Sequence, residues 1–234
     1  MSKIKKILLK LSGEALSGNH KMGFDDDVLM SFTQEIFEVY KKGIEIGIVV
    51  GGGNFYRGQK ATSAVSRHKG DYIGMLATVM NALAIEAYLK ELGAKACVLT
   101  STLMEPFAYR YSPRRALELI NSKNILIFAG GTGNPYFTTD TAAALKAIEI
   151  EADILLKGSN VDGIYSDDPR KNPDAVKFDN ISYKQAIEKD LKVMDMTAFA
   201  LCMENKMPIV VFDIHTKGNL LKIVEGMKIG TIVE

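Results

Sequence analysis

Six short runs of consecutive apolar, mostly β-branched residues punctuate the chain, at 4–11, 44–50, 96–100, 125–129, 154–156 and 209–212. Runs of that length without polar alternation read as strands buried on both faces. Between most of them, apolar residues recur at three-and-four spacing. Ile73, Leu76, Ala77, Met80, Leu83, Ala84 and Ala87 form one such helical stripe, which Gly93 closes as a C-cap. Strands alternating with helices predict an α/β fold, a three-layer sandwich around a mostly parallel central sheet. From 157 to 179 the pattern changes to Gly, Pro, Asp and Asn with short apolar pieces. The piece at 161–165 suits a hairpin, and Asp162-Gly163 is a hairpin-turn signal.

Composition narrows the function classes. The chain has 234 residues, 47% of them hydrophobic, enough for a sizeable core in one compact unit spanning 1–234. Its 29 basic and 28 acidic residues leave no electrostatic footprint for nucleic acid or an anionic membrane. The only cysteines, Cys97 and Cys202, lie in apolar runs without metal-ligand spacing to His20, His68 or His215, so they read as buried thiols. The apolar start is interrupted by Lys10 and is too short for a signal-peptide core or a membrane span, which makes the cytoplasm the expected compartment.

Chemistry concentrates in three glycine turns that each follow an expected strand: Lys10-Leu11-Ser12-Gly13, Gly51-Gly52-Gly53-Asn54, and the stretch from Gly130-Gly131-Thr132-Gly133-Asn134-Pro135 through Tyr136, Phe137, Thr138, Thr139 and Asp140. Bare backbone N–H groups, small hydroxyls and a following helix N-terminus are what hold phosphate oxygens. In open parallel sheets ligands bind beyond the carboxyl ends of the strands, so all three turns should share one rim. Two familiar nucleotide motifs fail. Tyr56 and Tyr136 stand where a dinucleotide fingerprint needs its third glycine, and no Gly-Lys pair exists for a P-loop.

The three turns, with Glu14-Ala15-Leu16, Arg57-Gly58, Gly70-Asp71 before Gly74-Met75-Leu76, Val161-Asp162-Gly163 and Val193-Met194-Asp195, occur in an order and spacing that resemble the uridylate kinase branch of the amino acid kinase family. The likeness runs over residues 4–233. It implies a nucleoside monophosphate kinase that moves the γ-phosphoryl of ATP to UMP, giving UDP and ADP, with Mg2+ accompanying ATP. It places the acceptor half over residues 1–150 and the donor half over 151–234.

Residue by residue, the resemblance puts Lys10 on the transferring phosphoryl group, with Leu11, Ser12 and Gly13 on the donor phosphates. Gly53 and Arg57 fall beside ATP and Gly52 beside UMP. A plain strand-to-helix turn, with glycine supplying positive φ, stands as the alternative for the triplet. Asp71 would take the UMP ribose hydroxyls, and also reads as an N-cap. Thr132, Gly133, Asn134, Pro135, Tyr136, Phe137, Thr138 and Thr139 would wrap UMP, with helix capping as the competing role for the threonines. Asp140 either orients Lys10 and Lys157, helps hold magnesium through water, or caps its helix. Asp195 belongs to the phosphate network or caps the helix beginning near Thr197. Ser159, Asn160, Tyr165 and Asp168 would meet the ATP adenosine. Here Gly158-Ser159-Asn160 replaces the commoner family version Ala-Thr-Lys, so the hydroxyl survives at Ser159 and the lysine is lost at Asn160.

The resemblance further implies a homohexamer built from dimers, GTP as activator and UTP as inhibitor. Methionines, Met75, Met80 and Met203 among them, would fill core or subunit contacts. Two rival functions remain open on the residues alone. One is a kinase of the same fold acting on a carboxylate or carbamate; the other is a nucleotide sensor without catalysis.

Overall fold

The computed structural model describes residues 4–56, 64–191 and 193–234. Six central strands are β1 (Lys6–Leu11), β2 (Glu45–Val50), β3 (Ala96–Thr100), β5 (Ile125–Ala129), β6 (Ile154–Ser159) and β10 (Ile209–Asp213). They coincide with the six apolar runs, within a few residues at each end. Short strands β4 (Tyr109–Arg110), β9 (Asn180–Ile181) and β11 (Thr231–Val233) extend the edges. The sheet order is β4-β3-β5-β2-β1-β6-β10-β11-β9, parallel throughout except for the β10–β11 pair.

Helices α1 (Asp26–Lys41), α2 (Arg67–Glu91) and α7 (Asn219–Val224) cover one face; α3 (Pro113–Asn121), α4 (Thr139–Glu149), α5 (Tyr183–Glu188) and α6 (Met196–Glu204) cover the other. Strand β1 shows why the layers separate: Ile7, Leu9 and Leu11 enter the core under α1, while Leu8 enters the core under α4. Because side chains alternate along a strand, Lys10 shares the α4 face with Leu8. The three-layer α/β sandwich expected from the sequence is the observed architecture.

Two local expectations are corrected. Strand β7 (Ile164–Tyr165) does pair antiparallel, but with β8 (Lys177–Phe178), twelve residues beyond Tyr165. Asp162-Gly163 therefore precedes the ribbon rather than turning it. Gly163 is small for another reason: a Cβ there would lie 2.5 Å from Thr231 Oγ1.

Helix α2 is apolar on two sides. Ala77, Ala82, Ile85 and Leu89 pack onto the sheet, while Ile73, Leu76 and Met80, from the expected stripe, are 39%, 53% and 45% exposed. Among the described residues α2 is the one helix long and apolar enough to cross a membrane, but its sheet-facing side belongs to the core. It ends as expected at Gly93, whose φ of 92° is open to glycine at little cost.

This rotational setting makes a testable distinction. Ile85→Ala should lower unfolding free energy by about 2–5 kcal/mol, the usual cost of emptying a core site. Ile73→Ala should change it by less than about 0.5 kcal/mol in dilute protein. Chemical denaturation measures both, and equal losses would contradict the helix orientation described here.

Candidate active site

Lys10 and Lys157 are register neighbours on the parallel strands β1 and β6, so their side chains leave the same face side by side. Two ammonium groups brought together in a buried place repel unless a counter-charge joins them. Asp140, in the first turn of α4, supplies it: Oδ1 lies 2.7 Å from Lys10 Nζ and Oδ2 lies 2.7 Å from Lys157 Nζ. Lys157 also donates to the Val193 carbonyl at 2.7 Å. Burial alone would raise the Asp140 carboxyl, but the two lysines, Lys10 foremost, overcome it and hold the group below the usual carboxylate value. For Lys157 burial is the largest effect and wins, leaving its ammonium more acidic than an ordinary lysine. The three groups sum to one positive charge, and the Asp195 carboxylate acts on Lys157 as a further counter-charge.

Asp140 is not the cap of its helix. Thr138 is the N-cap of α4, accepting from the N–H groups of Asp140 at 3.0 Å and Thr141 at 3.4 Å. Asp195 is the cap of α6, and it also reaches α4. It caps α6 through Ala198 N–H at 3.0 Å, and it accepts from Thr141 Oγ1 at 3.0 Å and from the Thr138 hydroxyl. The starts of α4 and α6 are thus bound by one carboxylate on the lysine-bearing face.

The glycine turns do converge at the carboxyl ends of β1, β2 and β5, which are neighbours around the switch from α1 on one face to α4 on the other. In the third turn Gly130, Gly131 and Gly133 have positive φ, whereas the glycines of the first two turns serve close approach. A Cβ on Gly13 would stand 2.7 Å from the Gly51 carbonyl and 2.8 Å from Gly53 N, and one on Gly52 would stand 2.5 Å from the Gly74 carbonyl. None of Gly51, Gly52 and Gly53 has positive φ, which corrects the plain-turn reading of the triplet. Ser12 accepts from Ala15 N–H at 3.1 Å. The Leu11 side chain is in the core, so only its backbone can meet a ligand. Arg57 lies outside the described residues.

Around the third glycine turn a cleft of about 150 Å³ is lined by Gly52, Asp71, Phe137, Thr138 and Thr139, together with Tyr56, Arg67, Gly74, Met75, Thr78 and Gly131. Thr132, Gly133, Asn134 and Pro135 lie in the same turn without lining that cleft. The turn is braced from beneath, with Gly130 N–H donating to Thr78 Oγ1 at 2.8 Å and Ser101 Oγ donating to the Gly131 carbonyl at 2.7 Å. Asp71 is not an N-cap, since α2 begins four residues earlier behind Ser66. Its carboxylate instead accepts from Arg67 and from Tyr136 N–H.

Of the residues expected beside the ATP adenosine, Ser159 ends β6, and Tyr165 on β7 donates to Asp162 at 2.6 Å. Asp168 pairs with Arg170 at 3.0 Å on the surface. Asn160 Oδ1 sits 2.9 Å from His215 Nε2, so a histidine after β10 meets the position where the commoner family sequence has lysine.

Sequence reasoning missed Arg67, Thr78 and Asn81. Asn81 and Asn54 exchange amide hydrogen bonds at 2.8 and 2.9 Å, and Asn81 also donates to the Gly51 carbonyl at 2.7 Å, tying the second glycine turn to α2. The available signal was a Thr78 and Asn81 pair on an otherwise apolar helical face, because buried amides persist only when bonded.

Known proteins resemble the chain over its whole length. A sequence profile described as the amino acid kinase family matches residues 5–213. Curated proteins named uridylate kinase from Bacteroides thetaiotaomicron and Porphyromonas gingivalis are 51% and 52% identical over 234 residues, covering all of this chain and 99% and 98% of theirs. The crystal structure of UMP kinase from Bacillus anthracis superposes with a TM-score of 0.96 at 32% identity, over 99% of this chain and 96% of that one. That from Ureaplasma parvum gives 0.93 at 37% identity over the full length of both. A lysine pair on adjacent parallel strands, glycine turns on one rim and full-length likeness of this degree lead to one conclusion: the chain belongs to the amino acid kinase family.

Proposed function

We propose that this chain is an ATP-dependent kinase of UMP, forming UDP in pyrimidine nucleotide biosynthesis. The observation that carries the reading is the Lys10–Asp140–Lys157 cluster, net positive and set between the glycine turns and the acceptor cleft. Phosphoryl transfer spreads charge over equatorial oxygens through a loose transition state, so the protein's task is to align two nucleotides and neutralise charge. Lys10 and Lys157 meet the transferring and donor phosphates, Asp140 holds both ammoniums in place, and Asp195 fixes the ends of α4 and α6 around them. The N–H groups of Ser12, Gly13 and Gly53, with Arg57, hold the donor phosphates, while Ser159, Asn160, Tyr165 and Asp168 face its adenosine. Asp71 takes the acceptor ribose, and Gly52 with the turn from Thr132 to Thr139 encloses the rest of UMP. A phosphate monoester with a second pKa near ~6 is already ionised at neutral pH, so the attacking oxygen needs no general base. Residues 151–234 then carry the adenosine side of the donor site, while 1–150 carry the acceptor site together with the turns on the donor phosphates.

Mg2+ favours phosphate and water oxygens with one or two carboxylates. Both Asp140 oxygens are engaged by lysine, which suits contact with the ion through water, and among the described residues no three acidic, histidine or cysteine groups form a cage. Carried with ATP, the ion would neutralise charge on the bridging phosphates.

Other readings are weaker. A carboxylate or carbamate acceptor leaves the Asp71 cleft without purpose, and a sensor leaves the lysine cluster without one. An ADP-release assay over UMP, CMP, aspartate, glutamate and carbamate decides among them, with turnover expected on UMP. In the same assay Lys10→Ala should lose at least ~100-fold in turnover while retaining UMP binding, as loss of a transition-state contact does. Turnover with glutamate and none with UMP would overturn the assignment. GTP and UTP additions test the activator and inhibitor roles.

The open side of α2 supports assembly. Ile73, Leu76, Met80, Leu83 and Ala87 follow a three-and-four spacing suited to a matching helix, in keeping with a homohexamer built from dimers. We place that assembly in the cytoplasm, where reduced thiols such as the buried Cys97 and Cys202 persist. Leu76→Asp should reduce the sedimentation coefficient; an unchanged value would remove this face from the interface.

Ionisation gives a separate test. Because Lys157 is held below the ordinary lysine value, turnover should begin to fall on the alkaline side before pH ~10.4, as the cluster loses its charge. Asp140 acts in the opposite range: its depressed carboxyl adds stability that is complete above the unfolded value near ~3.9 and is lost as pH falls through the lower folded value. Initial rates and melting temperatures against pH measure the two limbs, and an acid limb unchanged in Asp140→Asn would contradict the second.

A further inference from the structure

Arg67 occupies a position that helix stability does not explain. It is the first residue of α2, followed by His68 and Lys69, with no acidic residue in that turn and no side-chain bond from the Ser66 cap. Cations at a helix N-terminus oppose its dipole, and a base four residues before an acid is the weaker order for a helical ion pair. Arg67 nevertheless sits with Nε 3.0 Å from Asp71 Oδ1 and 3.1 Å from Oδ2. The same carboxylate accepts Tyr136 N–H at 2.8 Å, and the Arg67 guanidinium lies 5.8 Å from the Tyr136 ring.

Tyr136 has φ of 71°, a left-handed conformation that is strained for a non-glycine residue. With its side chain 68% exposed, packing gives little to hold it there; the hydrogen bond to Asp71 does. The three residues form a clasp between the start of α2 and the acceptor turn, and Arg67 and Asp71 both line the acceptor cleft. A carboxylate has about four acceptor sites. The clasp uses those on one side, fixes the plane of the group, and leaves acceptor capacity for a hydroxyl.

We propose that Arg67 is a positioning residue that orients Asp71 toward the acceptor ribose and so sets the preference for a ribonucleotide over a deoxyribonucleotide. This rests on the reading of UMP as acceptor. Without Arg67 the carboxylate is free to rotate and Tyr136 loses part of its anchor. Ribose recognition then weakens while the lysine cluster, on the other side of the sheet rim, is untouched.

The experiment is initial-rate kinetics on the full chain with UMP and dUMP as acceptors and ATP as donor, for wild type, Arg67→Ala and Arg67→Lys. Arg67→Ala should raise KM for UMP by ~10-fold, keep KM for ATP within ~2-fold, and cut the kcat/KM ratio of UMP to dUMP by ~5-fold or more. Arg67→Lys, which keeps a charge but not the planar fork, should recover part of that ratio and carries the test if the alanine variant fails to fold. An unchanged UMP to dUMP ratio, or KM values for ATP and UMP rising in parallel, overturns the role of Arg67 while leaving the UMP assignment intact. Absence of turnover of UMP by the wild-type chain overturns both.

Discussion

One carboxylate between two lysines is the constraint around which the rest is arranged. Parallel register puts Lys10 and Lys157 side by side, and at that separation, out of bulk water, neither charge is tolerable without Asp140. The acid must therefore come from above the sheet, and the first turn of α4 is where a helix following β5 can deliver it. Thr138 as the cap and Asp195 as the brace fix that turn. The result is a charged cluster held rigidly before any ligand arrives, which is how preorganised electrostatics acts without reorganising during the reaction.

The glycine turns meet the same demand in a different way. Backbone contact between Gly13 and the Gly51–Gly53 segment lets two loops present their N–H groups together, and the missing Cβ at Gly52 lets α2 approach through Gly74. That approach shapes the cleft, because α2 brings Asp71 and Thr78 to its wall and Asn81 to the Gly51 carbonyl. Polar residues on that helix are consequently bonded into turns: Thr78 to Gly130, Asn81 to Gly51, Asp71 to Tyr136. The other side of the helix stays apolar and open.

Much of this was legible in the sequence, and the failures share a cause. Buried strands announce themselves because both faces need apolar residues, so the six runs marked β1, β2, β3, β5, β6 and β10 closely. The hairpin was misplaced because Asp162-Gly163 satisfies turn chemistry locally, whereas Ile164 pairs with a strand, Lys177–Phe178, that no local rule selects. Asp71 read as a cap because an acid before an apolar helical pattern usually is one; the helix starts earlier and the acid is held by groups near and far along the chain, Arg67 and Tyr136.

The sequence by itself determined the layer order, the lysine at the end of β1, the glycine turns and the ordered motif set that marks the family, since each is written in residues close along the chain. Only the tertiary structure decided that Asp140 lies between Lys10 and Lys157, that Asp195 joins two helix starts, and which side of α2 meets the sheet. Those outcomes depend on strand register and helix rotation, which are set by packing among segments that are not adjacent along the chain and leave no period or spacing to read.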